Sequence, residues 1–269
     1  MENALLVILG AAIGAFGTLI GAGGGFLLVP TLLLLYPAYS PRTVTSMSLM
    51  VVFFNALSGS LAYARMRRIE YRSGLFFSAA TIPGAILGAV TVTWIPRRPF
   101  DGSFGVLLIA LAVFLIFKSE VGEDASCPPG RRECTVVERD GTMHRFSYDL
   151  KLGVILSVVV GYVSSLLGIG GGIIHVPVLV RFLHFPVHIA TATSHFVLAV
   201  MAFAGTLTHV ATGSFHQGIG RALLLSAGVL LGAQAGARLS TRIHGVWIIR
   251  GLACALAAVG LRLVATVIR

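Results

Sequence analysis

Two glycine clusters hold the residues best suited to chemistry in this chain. Gly21-Ala22-Gly23-Gly24-Gly25 and Gly168-Ile169-Gly170-Gly171-Gly172 each interrupt an apolar stretch, and Pro30 and Pro177 follow at the same distance. Irregular backbone at membrane depth is tolerated only where protein buries it or where it lines a cavity. A short helix starting at Gly25 or Gly172 would aim unpaired N–H groups and the positive end of its dipole into that cavity, which suits an anion. The plainer reading is that glycines let helices pack closely. Two matching clusters in equivalent places favour the site. Gly84, Gly88, Gly232 and Gly236 are single small-residue spacings and read as packing.

Hydroxyl groups form a second set. A later block in each half opens with Thr43, Thr45, Ser46 and Ser48, or with Thr191, Thr193, Ser194 and His195. Hydroxyls can donate to an oxyanion without placing a fixed charge in lipid, and they equally cap helices and bond between them. Asn55 lies mid-block with an amide that needs partners. All ten acidic residues fall at termini, in loops or in the linker. No intramembrane carboxylate would then repel an anion or relay a proton. His175, His195 and His209 remain as titratable relay candidates, although a membrane histidine is more often a hydrogen-bonded structural group.

No metal or cofactor site is expected. His184 and His188 are four apart, but Pro186 between them argues against a shared helical face. There is no His-Glu-x-x-His, no pair of membrane aspartates and no Gly-x-Ser-x-Gly elbow, so an enzyme is not expected.

The elements that must position these residues follow from composition. Of 269 residues 56% are hydrophobic and only 11% charged, and the mean hydropathy is +0.91. Too little charge is present to cover a soluble domain of this length. Long blocks such as Gly74–Trp94 and Ala222–Ala237 are nearly free of charge, and about 20 apolar residues in a helix cross a bilayer. The alternating polarity of a membrane β-barrel is missing. A net charge of +10 raises the question of nucleic acid, but the arginines cluster in short gaps between apolar blocks, as in Arg65-Met66-Arg67-Arg68, which is how a membrane protein marks its loops. No nucleic-acid partner is expected. Met1-Glu2-Asn3 is acidic rather than basic, so the first block is not read as a signal peptide.

The chain reads as two copies of one unit. Beyond the glycine motifs, Thr45-Ser46-Met47-Ser48 aligns with Thr191-Ala192-Thr193-Ser194, and Ala56–Leu61 aligns with Ala202–Leu207. The expected organisation is an all-α integral membrane protein with a first transmembrane repeat at 1–118, a linker at 119–149 and a second repeat at 150–269. Each repeat holds a glycine-broken helix or hairpin plus three transmembrane helices. Arg65–Arg68 is strongly basic while its counterpart Gly213–Gly218 has no arginine or lysine. Basic loops stay cytoplasmic, so the repeats are expected to be inverted, with parallel halves of four crossings as the alternative.

The linker alone has soluble character. Cys134 to Tyr148 reads as a cytoplasmic β-hairpin with Asp140-Gly141 as a two-residue turn. Cys127 and Cys134 have unspecific spacing, and Cys254 reads as packing.

Two Gly-x-Gly-Gly-Gly-x-x-x-x-Pro copies, each followed by a Thr/Ser-rich helix and then a Pro-Gly-Ala or Gly-Ala-Gln-Ala-Gly helix, resemble the sulfite exporter (TauE/SafE) family of membrane permeases. The resemblance covers nearly the whole chain except the linker. It implies passage of sulfite, a sulfonate or a related anion across the plasma (inner) membrane, often outward. By the same motif Gly21, Gly23, Gly24, Gly25 and Pro30, with Gly168, Gly170, Gly171, Gly172 and Pro177, become the expected scaffold. His175 and His195 depart from the first half, which has Leu28 and Leu49 there. The substrate site is expected at both clusters with Ser46, Ser48, Asn55, Thr193, Ser194 and His195. The partners are then a small oxyanion and the lipid bilayer, and a homodimer is compatible with the sequence. The alternatives are a permease for a different small anion and a non-transporting receptor or assembly factor.

Overall fold

The computed structural model describes residues 2–117, 132–215, 218–240, 242 and 245–268. The first half of the chain forms α1 (Glu2–Ile20), α2 (Gly25–Leu35), α3 (Pro41–Arg65), α4 (Tyr71–Thr91) and α5 (Arg97–Phe117). Two short strands follow, β1 (Arg132–Val137) and β2 (Met143–Tyr148). The second half forms α6 (Leu150–Leu167), α7 (Gly172–Arg181), α8 (Val187–Ala211), α9 (Ile219–Ser240) and α10 (Gly245–Ile268). Among the described residues six helices, α1, α3, α4, α6, α8 and α9, are long and apolar enough to cross a membrane.

Local chemistry sets the helix starts. Ser40 accepts from the Thr43 amide with Pro41 opening α3. The carboxylate of Glu70 accepts from the Arg72 and Ser73 amides at α4, and that of Asp149 accepts from Lys151 and Leu152 at α6. Each satisfies amides that a helix cannot pair internally.

The main packing crosses between the halves. Helix α1 lies on α9, α6 on α4, α3 on α8 and α5 on α10. Glycines make the closest of these contacts. Cβ atoms on Gly228, Gly232 and Gly236 would collide with the carbonyls of Val7, Ala11 and Ala15, and Gly84 and Gly88 meet the backbone of α6 in the same way. Backbones can approach this closely only where no side chain intervenes.

The relative directions of the helices follow from bonds at their ends. Arg42, at the start of α3, donates to Ser214 Oγ at 2.7 Å and to the Thr212 carbonyl, both just past the end of α8. Arg221, at the start of α9, reaches Glu2 at the start of α1 (3.2 Å). The Glu70 amide, by contrast, donates to Thr193 near the start of α8 (3.1 Å). Arg97 at the start of α5 donates to the Leu33 carbonyl (2.8 Å) and the Tyr39 carbonyl (3.2 Å).

Strands β1 and β2 pair antiparallel from Arg132↔Tyr148 to Val137↔Met143. The connection differs from a two-residue turn. The Gly141 amide bonds the Glu138 carbonyl and the Glu138 amide bonds the Thr142 carbonyl, with Gly141 at φ +91°. This is a three-residue loop, Arg139 to Gly141, closed by a glycine in the left-handed region. The hairpin is seated on the helices. The Arg139 amide donates to the Met66 carbonyl, Ser73 Oγ donates to Tyr148 Oη (2.6 Å), and Phe146 lies 4.4 Å from Phe185 between ring centroids. Of the cysteines, Cys134 is half-buried and Cys254 is exposed rather than packed inside; Cys127 lies outside the described residues.

Candidate functional site

The two glycine clusters end α1 and α6 by the same device. Gly21, Gly23 and Gly24 have φ of 80°, 73° and 79°, and Gly168, Gly170 and Gly171 have 69°, 80° and 75°. Side chains with a Cβ rarely adopt these angles. The Ala22 and Gly23 amides both fold back onto the Gly17 carbonyl, so Gly24 comes to rest against Ile13. Helices α2 and α7 then restart at Gly25 and Gly172 without a side-chain cap.

The breaks meet each other. A Cβ on Gly25 would lie 2.6 Å from the Ile169 carbonyl oxygen, and one on Gly172 would strike the Gly21 carbonyl. The centres of α3 and α8 wall this junction in matched fashion. Gly23 and Gly170 both face Val52 and Leu198, while Gly21 faces Thr191 and Gly168 faces Thr45.

The surrounding polar groups are not matched. Ser48 Oγ donates to the Gly168 carbonyl at 2.6 Å, whereas its counterpart Ser194 is fully buried with no partner on Oγ. Ser194 packs beside Gly171, Gly172, His175 and Thr81. On the other side Thr18 is the hub. Its hydroxyl donates to Asn55 Oδ1 (3.1 Å), His195 Nε2 lies 3.2 Å away, and Tyr63 Oη donates to its carbonyl (2.7 Å). The positions equivalent to His195 and Asn55 are Leu49 and Met201, so this polar cluster occurs once.

Thr18 is not among the residues expected from sequence. A signal for it was present: Thr18 and Ser165 are hydroxyl residues three before the first glycine of each cluster. Ser48, Asn55, Ser194 and His195 are brought together with the glycines. Ser46 is not, because its hydroxyl bonds the Thr43 carbonyl in its own helix (2.9 Å). Thr193 turns to α4 and accepts the Glu70 amide. Thr45 and Thr191 bond the Arg42 and Val187 carbonyls within their helices.

The three histidines occupy separate places. His175 Nε2 lies 3.3 Å from Ser157 Oγ, with its ring against Phe77. His209 Nδ1 lies 3.2 Å from Ser214 Oγ near the end of α8. Among the described residues no cluster of three His, Cys, Asp or Glu side chains could hold a metal.

Chemically, the junction offers amide donors, a free hydroxyl and the Asn55 Nδ2, which is buried without a partner. The first amides of a helix have no intrahelical acceptor, and the positive dipole ends of α2 and α7 add to their pull on an anion. The Gly172 amide is already taken by the Gly170 carbonyl. Donor groups of this kind suit an oxyanion.

Comparison with known proteins gives the family. Residues 6–263 match the family described as sulfite exporter TauE/SafE. The chain is similar to the probable membrane transporter protein YunE of Bacillus subtilis, with 30% identity over 98% of both chains. It is also similar, at 24% identity over 89% of this chain and 86% of the other, to a probable membrane transporter protein of Methanocaldococcus jannaschii. No solved structure matches the chain. This is a multi-pass membrane protein and not an enzyme, and it belongs to the sulfite exporter TauE/SafE family of membrane transporters.

Proposed function

We propose that the protein carries a small sulfur-containing oxyanion, sulfite or an organosulfonate, across the plasma membrane. The anion binds where the two glycine breaks meet, and access alternates between the two faces. One observation supports this above the others. Each uncapped helix start packs against the glycine break of the opposite half, and the nearby helices α3 and α8 carry the buried, unpartnered Asn55 Nδ2 and Ser194 Oγ. A hydrogen bond to a charged group contributes about 1.5–3 kcal/mol, so three or four offset much of an anion's dehydration.

The halves are inverted about an axis in the membrane plane. The support is directional: α3 starts where its counterpart α8 ends, and α9 starts beside α1 while its counterpart α4 starts beside the hairpin. Inverted repeats around a midplane site are a common basis for alternating access. The hairpin face, rich in arginine, is cytoplasmic.

Sulfite efflux from proteoliposomes tests the proposal. Protein-dependent, saturable efflux that other oxyanions inhibit is the expected result. Vesicles that retain sulfite as well as protein-free controls do would refute it.

A further inference from the structure

On the hairpin face, the ends of α3 and α9 and the tip of the hairpin enclose an open basin of about 490 Å³. Arg65, Arg68, Arg139 and Arg238 line it, against the carboxylates of Glu138 and Asp140. Arg68 is the most deeply set, 8% exposed. Its Nε donates to Glu138 Oε2 at 2.5 Å, and His144 Nε2 lies 2.9 Å from the other carboxylate oxygen. Its Nη1 is buried with no partner. A guanidinium commonly grips a carboxylate by two parallel bonds. Here the hairpin occupies one edge of the fork and leaves another donor unused.

The helix that borders the basin, α3, also reaches the junction. Tyr63, one turn and a half before Arg68 in the chain, sends its hydroxyl to the Thr18 carbonyl at the first break. A cleft with an excess of one charge concentrates the opposite ion. An antechamber of this kind works only if it also lets go, which requires weak binding. A tethered carboxylate in contact with the same cation supplies that weakness.

We propose that the basin is a second anion site, in which Arg68 Nη1 and the neighbouring guanidiniums hold a small oxyanion and Glu138 competes with it for Arg68. The inference rests on the reading of the protein as an anion transporter. A lipid phosphodiester headgroup presents the same oxygens, so the test has separate arms for the two sources.

Purified protein in neutral detergent is titrated calorimetrically with sulfite, and separately with short-chain phosphatidylglycerol. The unaltered chain is compared with Glu138→Gln and with the double variant Arg65→Gln/Arg139→Gln, which alters two exposed side chains and leaves the buried pair intact. Removing the competing carboxylate should tighten sulfite binding on the order of tenfold, equivalent to about 1.4 kcal/mol, and the double variant should weaken it several-fold. Sulfite binding that is unchanged or weaker in Glu138→Gln, and unchanged in the double variant, overturns the proposal. Phosphatidylglycerol that displaces sulfite and binds more tightly also overturns it, since the basin would then be a lipid site. Sulfite flux by the unaltered chain is read independently. Absent flux with Glu138-dependent binding would refute the transport reading and leave the basin standing.

Discussion

His195 Nε2 lies 3.2 Å from Thr18 Oγ1, joining the two halves of the chain at the first glycine break. Thr18 has a single hydroxyl hydrogen, and it goes to Asn55 Oδ1. His195 Nε2 thus faces a hydroxyl whose hydrogen points elsewhere, and Nδ1 has no hydrogen-bond partner. A proton arriving there would turn this polar cluster into a cationic one.

His195→Gln keeps an N–H donor within reach of Thr18 but cannot take up that proton. We expect it to fold normally and to carry anion at a rate that no longer responds to an imposed pH gradient. The measurement is flux at fixed sulfite gradient with and without a proton gradient. A response equal to that of the unaltered chain would end any relay through His195.

Ser48 and Ser194 are equivalent in the repeat and differently used, so their alanine variants should separate stability from binding. Ser48→Ala removes a bond to the Gly168 carbonyl and should cost about 1 kcal/mol of stability. Ser194→Ala removes a hydroxyl that bonds nothing. It should leave the melting temperature nearly unchanged while raising KM for the anion about tenfold, the loss of about 1.4 kcal/mol of binding. Equal effects of the two variants on KM would contradict the placement of the site.

Glycine variants report on the junction itself. Gly25→Ala and Gly172→Ala would push a methyl group into the backbone of the opposite break, and each should lower the melting temperature sharply or prevent recovery of monodisperse protein. Gly220→Ala, in α9 with nothing within 4 Å of its Cβ, should be neutral or stabilising by up to about 1 kcal/mol. Because the first contact is with protein, a valine at Gly24 or Gly171 tests folding before it tests ligand approach.

Membrane orientation is open to labelling. Arg67 and Thr212 are both exposed and lie at opposite ends of the antiparallel pair α3 and α8. An impermeant maleimide applied from outside should reach Thr212→Cys and not Arg67→Cys. Labelling of both from one side would remove the inverted topology.

The hairpin should come loose without loss of the membrane domain. Asp140→Ala/Gly141→Val removes the Asp140 Oδ1 acceptor for the Thr142 amide and forces a branched residue to φ +91°. Burial now pushes the Cys134 thiol above its ordinary pKa. Release should bring it down and speed alkylation at Cys134, read by peptide mass spectrometry. Unchanged alkylation would mean that the turn does not hold the hairpin.

The repeat, the glycine breaks and the number of blocks were legible because backbone requirements and hydrophobic length leave direct marks in sequence. Which hydroxyl faces which neighbour was not. Helices α3 and α8 are buried on nearly every side, so no polar face separates inward from outward positions. Ser46 and Thr193 looked like Ser48 and Ser194 for that reason. Thr18 belongs to a stretch that otherwise reads as plain apolar helix. The pairing of Arg68 with Glu138 spans 70 positions and joins a loop to a hairpin, a relation that no local pattern encodes.

Helix α1 finds its main partner in α9, and α4 finds its own in α6. During synthesis, then, the leading half enters the bilayer with its glycine-lined faces bare, and lipid must cover them until the trailing half arrives. The earliest helix waits for one made some two hundred residues later. Assembly is thus a late event within the membrane. If the chain were severed between the halves, both pieces would have to be made together, since neither contains the surfaces that complete it.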